Sequence, residues 1–170
     1  MAEPEWTIEE LSADHDRSAF SCGHETLDNF LKRFAGQNQK MRVSRTFVAV
    51  RPGEKTAVGY YSISAGAVAF PDVPEEMRKR LPKYPVPVAH IGRLAVVQKT
   101  QKQGLGEFLL IDALARILDA AETIGIHAVE VIAIDEAAKQ FYLKYGFVEL
   151  LDDPLHLYIS IKTVRKLGLV

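Results

Sequence analysis

The chain has 170 residues, 48% of them hydrophobic and 25% charged, and a net charge of −1. These are the proportions of a soluble globular protein with room for one compact core. A single cysteine, Cys22, excludes a disulfide framework and a multi-cysteine metal site. No run approaches the roughly 18 unbroken apolar residues of a membrane span, and the segment after Met1 has neither the basic nor the apolar region of a signal peptide, so a cytoplasmic protein without membrane contact is expected.

In chain order, "EWTIEEL" reads as a short first strand. In "HETLDNFLKRFAGQNQ", Leu27, Phe30, Leu31 and Phe34 recur at i, i+3, i+4 and i+7, which predicts an amphipathic helix ended near Gly36. "SRTFVAV" and "AVGYYSISAGAVAF" are strands joined through a turn at "RPGEKT". "VPEEMRKRL" predicts a short helix with Pro74 in its first turn, and "LPKYPVP" is held extended by its prolines. "VAHIGRLAVV" is the next strand, followed by a helix from about Gly104 to Ala121. "IHAVEVIAI" is nearly continuously apolar, as expected of a strand covered on both faces. "DEAAKQFYLKYG" is a helix closed by Gly146, and "FVEL" and "LHLYISI" are final strands. The order is mixed α/β with a central βαβ unit and no linker or internal repeat.

Charge is uneven along this order. Residues 1–31 hold eight acids and one base, residues 32–102 fourteen bases and four acids, and residues 103–170 six bases and ten acids. The middle segment could present a basic face to phosphates, or the fold could mix the segments and cancel the field.

The stretch "VQKTQKQGLGEFLLIDALARI" places two glycines between a strand and a long helix. Glycine turns at helix N-termini bind pyrophosphate, because bare N–H groups and the positive helix end face the anion without an intervening Cβ. A Walker-A pattern is absent, since neither glycine is followed by Lys-Ser or Lys-Thr, and the third glycine of a dinucleotide fingerprint is Leu109. Gln-x-x-Gly-x-Gly in this setting resembles the pyrophosphate loop of the GNAT family of acetyl-CoA N-acetyltransferases. About thirty residues on, "AAKQFYLKYGF" matches the tyrosine helix and Gly-Phe of that family. The resemblance implies an α/β (α+β) fold, a single GNAT domain over 1–170, with a mixed central sheet splayed at the acetyl-CoA site and flanked by helices. It implies acetyl-CoA as co-substrate, with the pyrophosphate on Gln101, Lys102, Gln103, Gly104, Leu105 and Gly106. The pantetheine arm would pair with Leu94, Ala95 and Val96, with Phe141 as a further cofactor contact.

"FSCGHETLDNFLKRFA", "SRTFVAV", "VGYYSIS", "YPVPV" and "IGRLAV" are similar to the acetyltransferase toxins of bacterial toxin–antitoxin modules. That resemblance implies acetylation of the free amine of aminoacyl-tRNA, a small ribbon-helix-helix antitoxin as partner, and a homodimer. An enzyme acetylating a small-molecule or protein amine, and a non-catalytic CoA- or partner-binding module, stay open beside it.

Tyr142 is by resemblance the catalytic acid that protonates the departing thiolate, although its helical neighbours would also suit a core residue. The Val96 N–H is a candidate for polarising the thioester carbonyl. No carboxylate or histidine declares itself as a base; Glu130 and His90 are candidates that equally suit ordinary strand positions. An α-amine with a pKa of about 7.7–8.0 needs little help, whereas a lysine near about 10.4 would, which favours an α-amine acceptor. Asp135 stands where many of these enzymes place asparagine, and it also suits a helix N-cap. For a tRNA acceptor, Lys32, Arg33, Lys40, Arg42 and Arg45 form one cationic cluster and Arg78 and Lys79, with Arg80 and Lys83, a second. Arg93 would support the cofactor strand or reach the acceptor end. The other histidines, His15, His24, His127 and His156, lack ligand spacing, so no metal is expected, and Cys22 reads as a small buried hydrophobe.

Overall fold

Strands and helices are interspersed along the chain, as the period-two and period-3.6 patterns predict. The computed structural model describes residues 5–169; the expectation that residues 1–4 open no signal peptide lies outside the described residues. The elements are β1 (Thr7–Glu10), α1 (Glu25–Asn29), a π-helical turn (Phe30–Phe34), α2 (Ala35–Lys40), β2 (Arg45–Val50), β3 (Gly59–Val68), α3 (Glu75–Arg78), β4 (Val86–Val96), α4 (Leu105–Ala121), β5 (Ala128–Ile132), α5 (Glu136–Leu143), β6 (Val148–Glu149), β7 (His156–Ser160) and α6 (Ile161–Lys166). The strands form a mixed sheet in the order β1-β2-β3-β4-β5-β7-β6. β4 and β5 are parallel, while β1/β2, β2/β3, β5/β7 and β6/β7 are antiparallel.

The chain divides into two compact units. The first comprises Met1–Ser64 and Gly92–Ala113, the second Ala65–Ile91 and Leu114–Val170. The core of the first unit gathers Leu11, Phe20, Cys22, Phe30, Leu31, Ala35, Val48, Val50, Ala57, Tyr60 and Ala95. β3 alternates across it: Tyr60 packs on Phe20 and Phe30, while Tyr61 turns to Phe47 and donates to Asp112 of α4 at 2.5 Å. Gly59 is glycine for space, because a Cβ there would stand 3.0 Å from Leu105 and Leu109 of that helix.

The helix predicted from Leu27, Phe30, Leu31 and Phe34 departs from a regular period. The Ala35 N–H bonds to the Phe30 carbonyl, five residues back, and this wider turn adds a residue to the repeat. Ala35 takes the buried position and Phe34 turns out, 53% exposed. The helix does not end at Gly36 but runs on to Lys40. Gln39 holds the continuation: its side-chain amide donates to the Leu11 carbonyl and accepts from the Thr46 N–H, both at 2.9 Å.

The second unit is built on Val68, Val73, Val86, Val88, Ala128, Leu150 and Tyr158. β5 is buried from Ala128 to Val131, but Ile132 is 59% exposed, so coverage of both faces ends one residue early. Pro74 caps α3 from outside instead of sitting in its first turn. Helix α6 was not predicted, although Ser160 caps it by accepting from the Thr163 N–H at 3.1 Å. Among the described residues, no helix is long and apolar enough to cross a membrane.

Candidate active site

β4 leads into the glycine turn. Its register with β5 covers Val88 to Ile91, and Gly92–Val96 run on beyond it. The expected pantetheine contacts Leu94, Ala95 and Val96 lie in that continuation. After the short turn Gln98–Thr100, the Gln101 side chain donates to the carbonyls of Cys22 and Val96, each at 2.9 Å. That glutamine is therefore a staple that ties the turn to the strand before it. Lys102 (φ 65°) and Gly104 (φ 91°) are left-handed, while residues 101–104 are exposed. Left-handed residues of this kind gather backbone N–H groups into anion-binding concavities, and here they open the 17-residue helix α4, whose N-terminal dipole favours the same charge. The donor set fits a pyrophosphate.

Tyr142, in the second unit, lies on α5. Asp135 is the N-cap of that helix, accepting from the Ala138 N–H at 2.8 Å, as its residue type predicts. Phe141 stacks on Tyr142 at 5.2 Å and Phe147 meets it edge-on at 5.4 Å. The ring is buried, which pushes its phenol well above the usual value, so it stays protonated at neutral pH. Its hydroxyl has no hydrogen-bond partner among the described residues.

Glu130 and His90, the candidate bases, belong to one network in the second unit, with Glu130 buried and His90 half-buried. Glu130 receives His156 Nε2 at 2.6 Å and faces His90 Nδ1 at 2.9 Å, off the line of a good hydrogen bond. His156 Nδ1 contacts Asp152 at 2.9 Å. Burial works against the Glu130 charge, but the two imidazoles outweigh it and hold the carboxyl below its ordinary value. Burial likewise opposes the His156 charge, and bonds to Asp152 and Glu130 override it, so His156 is raised. A carboxylate held this way is a poor base.

Cys22 is buried, its thiol pushed up to about 11 by burial and by the neighbouring Asp28 carboxylate, which suits packing and not nucleophilic attack. No group of three or more potential metal ligands occurs among the described residues.

The first cationic cluster is partly assembled. Lys32 and Arg33 in the π-turn and Lys40 at the end of α2 line a cavity of about 580 Å³ together with Arg17. Arg17, missed in the sequence because it sits among Asp14 and Asp16, donates to the Leu31 carbonyl at 2.8 Å. Arg42 follows α2 in a left-handed conformation. Arg45 is not free, since it pairs with Glu10. Arg78 ends α3 and Lys79 caps it, in the second unit. Arg93, on β4, holds its guanidinium 3.6 Å from the centre of the Phe30 ring.

A family model described as the acetyltransferase (GNAT) domain matches residues 16–156, the span from Asp16 through the glycine turn to the first residue of β7. The chain belongs to the GNAT acetyltransferase family. It is 40% identical over 157 residues to a Mycobacterium tuberculosis protein named tRNA-acetylating toxin, covering 92% of this chain and 93% of that one. Its structure is similar to that of AtaT complexed with acetyl-methionyl-tRNAfMet, with a TM-score of 0.89 and 29% identity over 96% of this chain and 99% of that chain. It is also similar to a tyrosine-to-phenylalanine mutant of AtaT bound to acetyl-CoA and the C-terminus of the antitoxin AtaR, with a TM-score of 0.84 and 27% identity over 97% and 99% of the two chains.

Proposed function

We propose that the protein transfers the acetyl group of acetyl-CoA to the free α-amine of aminoacyl-tRNA, acting in the cytoplasm as a translation-blocking toxin. The observation that carries this reading is the turn at Gln101–Gly106: stapled by Gln101, left-handed at Lys102 and Gly104, exposed, and opening a long helix. A protein-wide likeness to a tRNA-acetylating toxin and to AtaT with its acetylated tRNA supports the acceptor.

In this reading the turn holds the pyrophosphate, Leu94, Ala95 and Val96 pair with the pantetheine arm, and the Val96 N–H polarises the acyl carbonyl where negative charge develops. Acetyl-CoA supplies the activated acetyl group. Tyr142 holds the proton that the departing thiolate takes, and its buried phenol keeps that proton across the neutral range. No side chain need act as base, because an α-amine with a pKa of about 8 is already partly neutral near pH 7. Lys32, Arg33 and Lys40, with Arg17, would meet backbone phosphates. A homodimer and a ribbon-helix-helix antitoxin complete the proposal, the latter supported by the AtaT–AtaR complex.

The test is transfer of label from acetyl-CoA to bulk charged tRNA, with uncharged tRNA as control and Tyr142→Phe beside the wild type. Label confined to charged tRNA is expected, with a rate falling about 10²–10⁴-fold in the variant while acetyl-CoA still binds. Acetyl-CoA binding without label on any charged tRNA would sink the acceptor assignment and leave small amines and protein N-termini.

A further inference from the structure

We propose that Arg93 reads the phosphate of the acceptor's terminal nucleotide, so that the enzyme distinguishes an amine attached to a nucleotide from any other amine. This rests on the aminoacyl-tRNA reading above and specifies how the acceptor is recognised.

The first observation is an unbalanced charge. Arg93 is half-buried on β4, and among the described residues no carboxylate pairs with it. Its ionisable neighbour is Tyr60, a phenol kept neutral by burial, whose hydroxyl already donates to the Leu27 carbonyl at 2.6 Å. Arginine cannot escape by losing its proton. A partly desolvated cation without an anion is unfavourable, and the face of one phenyl ring compensates for only part of that.

The second is geometry. The guanidinium carbon lies 3.6 Å from the centre of the Phe30 ring, and the planar guanidinium carries N–H groups in a fork that suits two phosphate oxygens. Phe30 is itself fixed. It stacks against Tyr60 at 6.2 Å and opens the π-turn, its carbonyl accepting from the Ala35 N–H. Departures of this kind from a regular helix recur at functional sites.

The third is position. Arg93 precedes Val96 by three residues, about 10 Å along an extended strand. A comparable span separates the 5′-phosphate of a terminal adenosine from an amine carried by an aminoacyl group on its ribose 3′-oxygen. The other cations differ in kind: Lys32, Arg33 and Lys40 are exposed and serve attraction at a distance, weakened by salt. One other phosphate source exists, CoA itself, so the test separates the two.

Two hydrolysis-resistant acceptors are compared, a 3′-aminoacylamino-adenosine without phosphate and the same compound extended to a cytidylyl dinucleotide, whose linkage supplies the phosphate. Charged tRNA is the reference. The wild type is expected to favour the phosphate-bearing acceptor roughly ten- to hundredfold in kcat/KM. Arg93→Ala should collapse that ratio toward one, mainly through the KM of the phosphate-bearing acceptor, with little change in the KM for acetyl-CoA. Arg93→Lys, which keeps charge but loses the fork, should retain part of the preference. Equal losses on both acceptors would mean a merely structural role and overturn the proposal, as would a raised KM for acetyl-CoA as the main effect. A wild type that acetylates charged tRNA without preferring the phosphate-bearing analogue overturns the Arg93 assignment alone. Failure to acetylate charged tRNA at all overturns the acceptor reading, and this proposal with it.

Discussion

One set of polar groups in each unit shows the contrast between groups that are paired internally and groups that are not. In the second, Glu130 is clasped by His90 and His156, His156 is held by Asp152, Asp135 caps α5, and Lys139 pairs with Glu149. In the first, the glycine turn exposes backbone in left-handed conformations and Arg93 is half-buried over a ring, with no carboxylate pairing with it among the described residues. Internal compensation marks groups that hold the fold, whereas groups left waiting mark surfaces meant for something absent. Tyr142 departs from that set within its own unit: its phenol is buried, its hydroxyl has no hydrogen-bond partner among the described residues, and the proposal assigns it chemistry.

The largest expected effect tests the compensated side. Glu130→Ala would leave His90 and His156 facing an apolar gap and is expected to destabilise the protein by about 3 kcal/mol, the scale of a buried pair that loses one member. The same network predicts a pH window. Glu130 is lowered from an ordinary 4.5, so its contribution is present above that value and lost as pH falls through its lowered folded value. His156 is raised from 6.5, so its contribution is full below 6.5 and lost as pH rises through its raised value. Both act together between about 4.5 and 6.5. Thermal melts from pH 3 to 9 should show the optimum there, and His156→Gln should flatten the alkaline side. A wild-type optimum well above pH 7 that survives His156→Gln would mean that the network contributes nothing, and the contrast between the units would fail.

What could be read in the sequence, and what could not, follows the range of the interactions. The glycine turn, α4 and the Asp135 cap are local, each specified by neighbours within a few residues. The Glu130 network joins β4, β5, the start of β7 and Asp152 just before it, and nothing in a linear pattern connects His90 to a glutamate forty positions on. The π-turn escaped for another reason. A fixed 3.6 period cannot show where one residue is added, so it points to Phe34 as buried where the structure buries Ala35. Gln101 was legible as a loop residue, but its bonds to Cys22 and Val96 appear only when the chain folds back. The cap of α6 was present in Ser160 and Thr163, but the short segment offers little periodicity.

A smaller effect is expected on the uncompensated side. Gly104 has φ 91° with nothing within 4 Å of the place its Cβ would occupy, so Gly104→Ala introduces backbone strain alone, about 1–2 kcal/mol. Gly53, in the turn between β2 and β3, has φ 78° and the same open space, and Gly53→Ala is the matched control. Both should lower the melting temperature by similar amounts. Gly104→Ala alone should raise the KM for acetyl-CoA, roughly tenfold if the strain is relieved by moving the turn. Equal KM values in the two variants would remove the turn from the cofactor site.

The smallest effect concerns Asp135, where the family pattern and the local chemistry point in different directions. Its carboxylate accepts from the Ala138 N–H, which satisfies one of the free donors at the start of α5 and places negative charge at the positive helix end. Asp135→Ala should therefore cost about 1 kcal/mol of stability. Asp135→Asn, which keeps the accepting oxygen, should cost only a few tenths. If the residue acts as a cap, acetyl-CoA titrations of both folded variants should match the wild type. If it instead bonds the pantetheine, Asp135→Ala should weaken acetyl-CoA binding while Asp135→Asn strengthens or preserves it. A loss of affinity out of proportion to the loss of stability would move Asp135 from the compensated groups to those held ready for a ligand, making it, with Tyr142, a second such group in its unit.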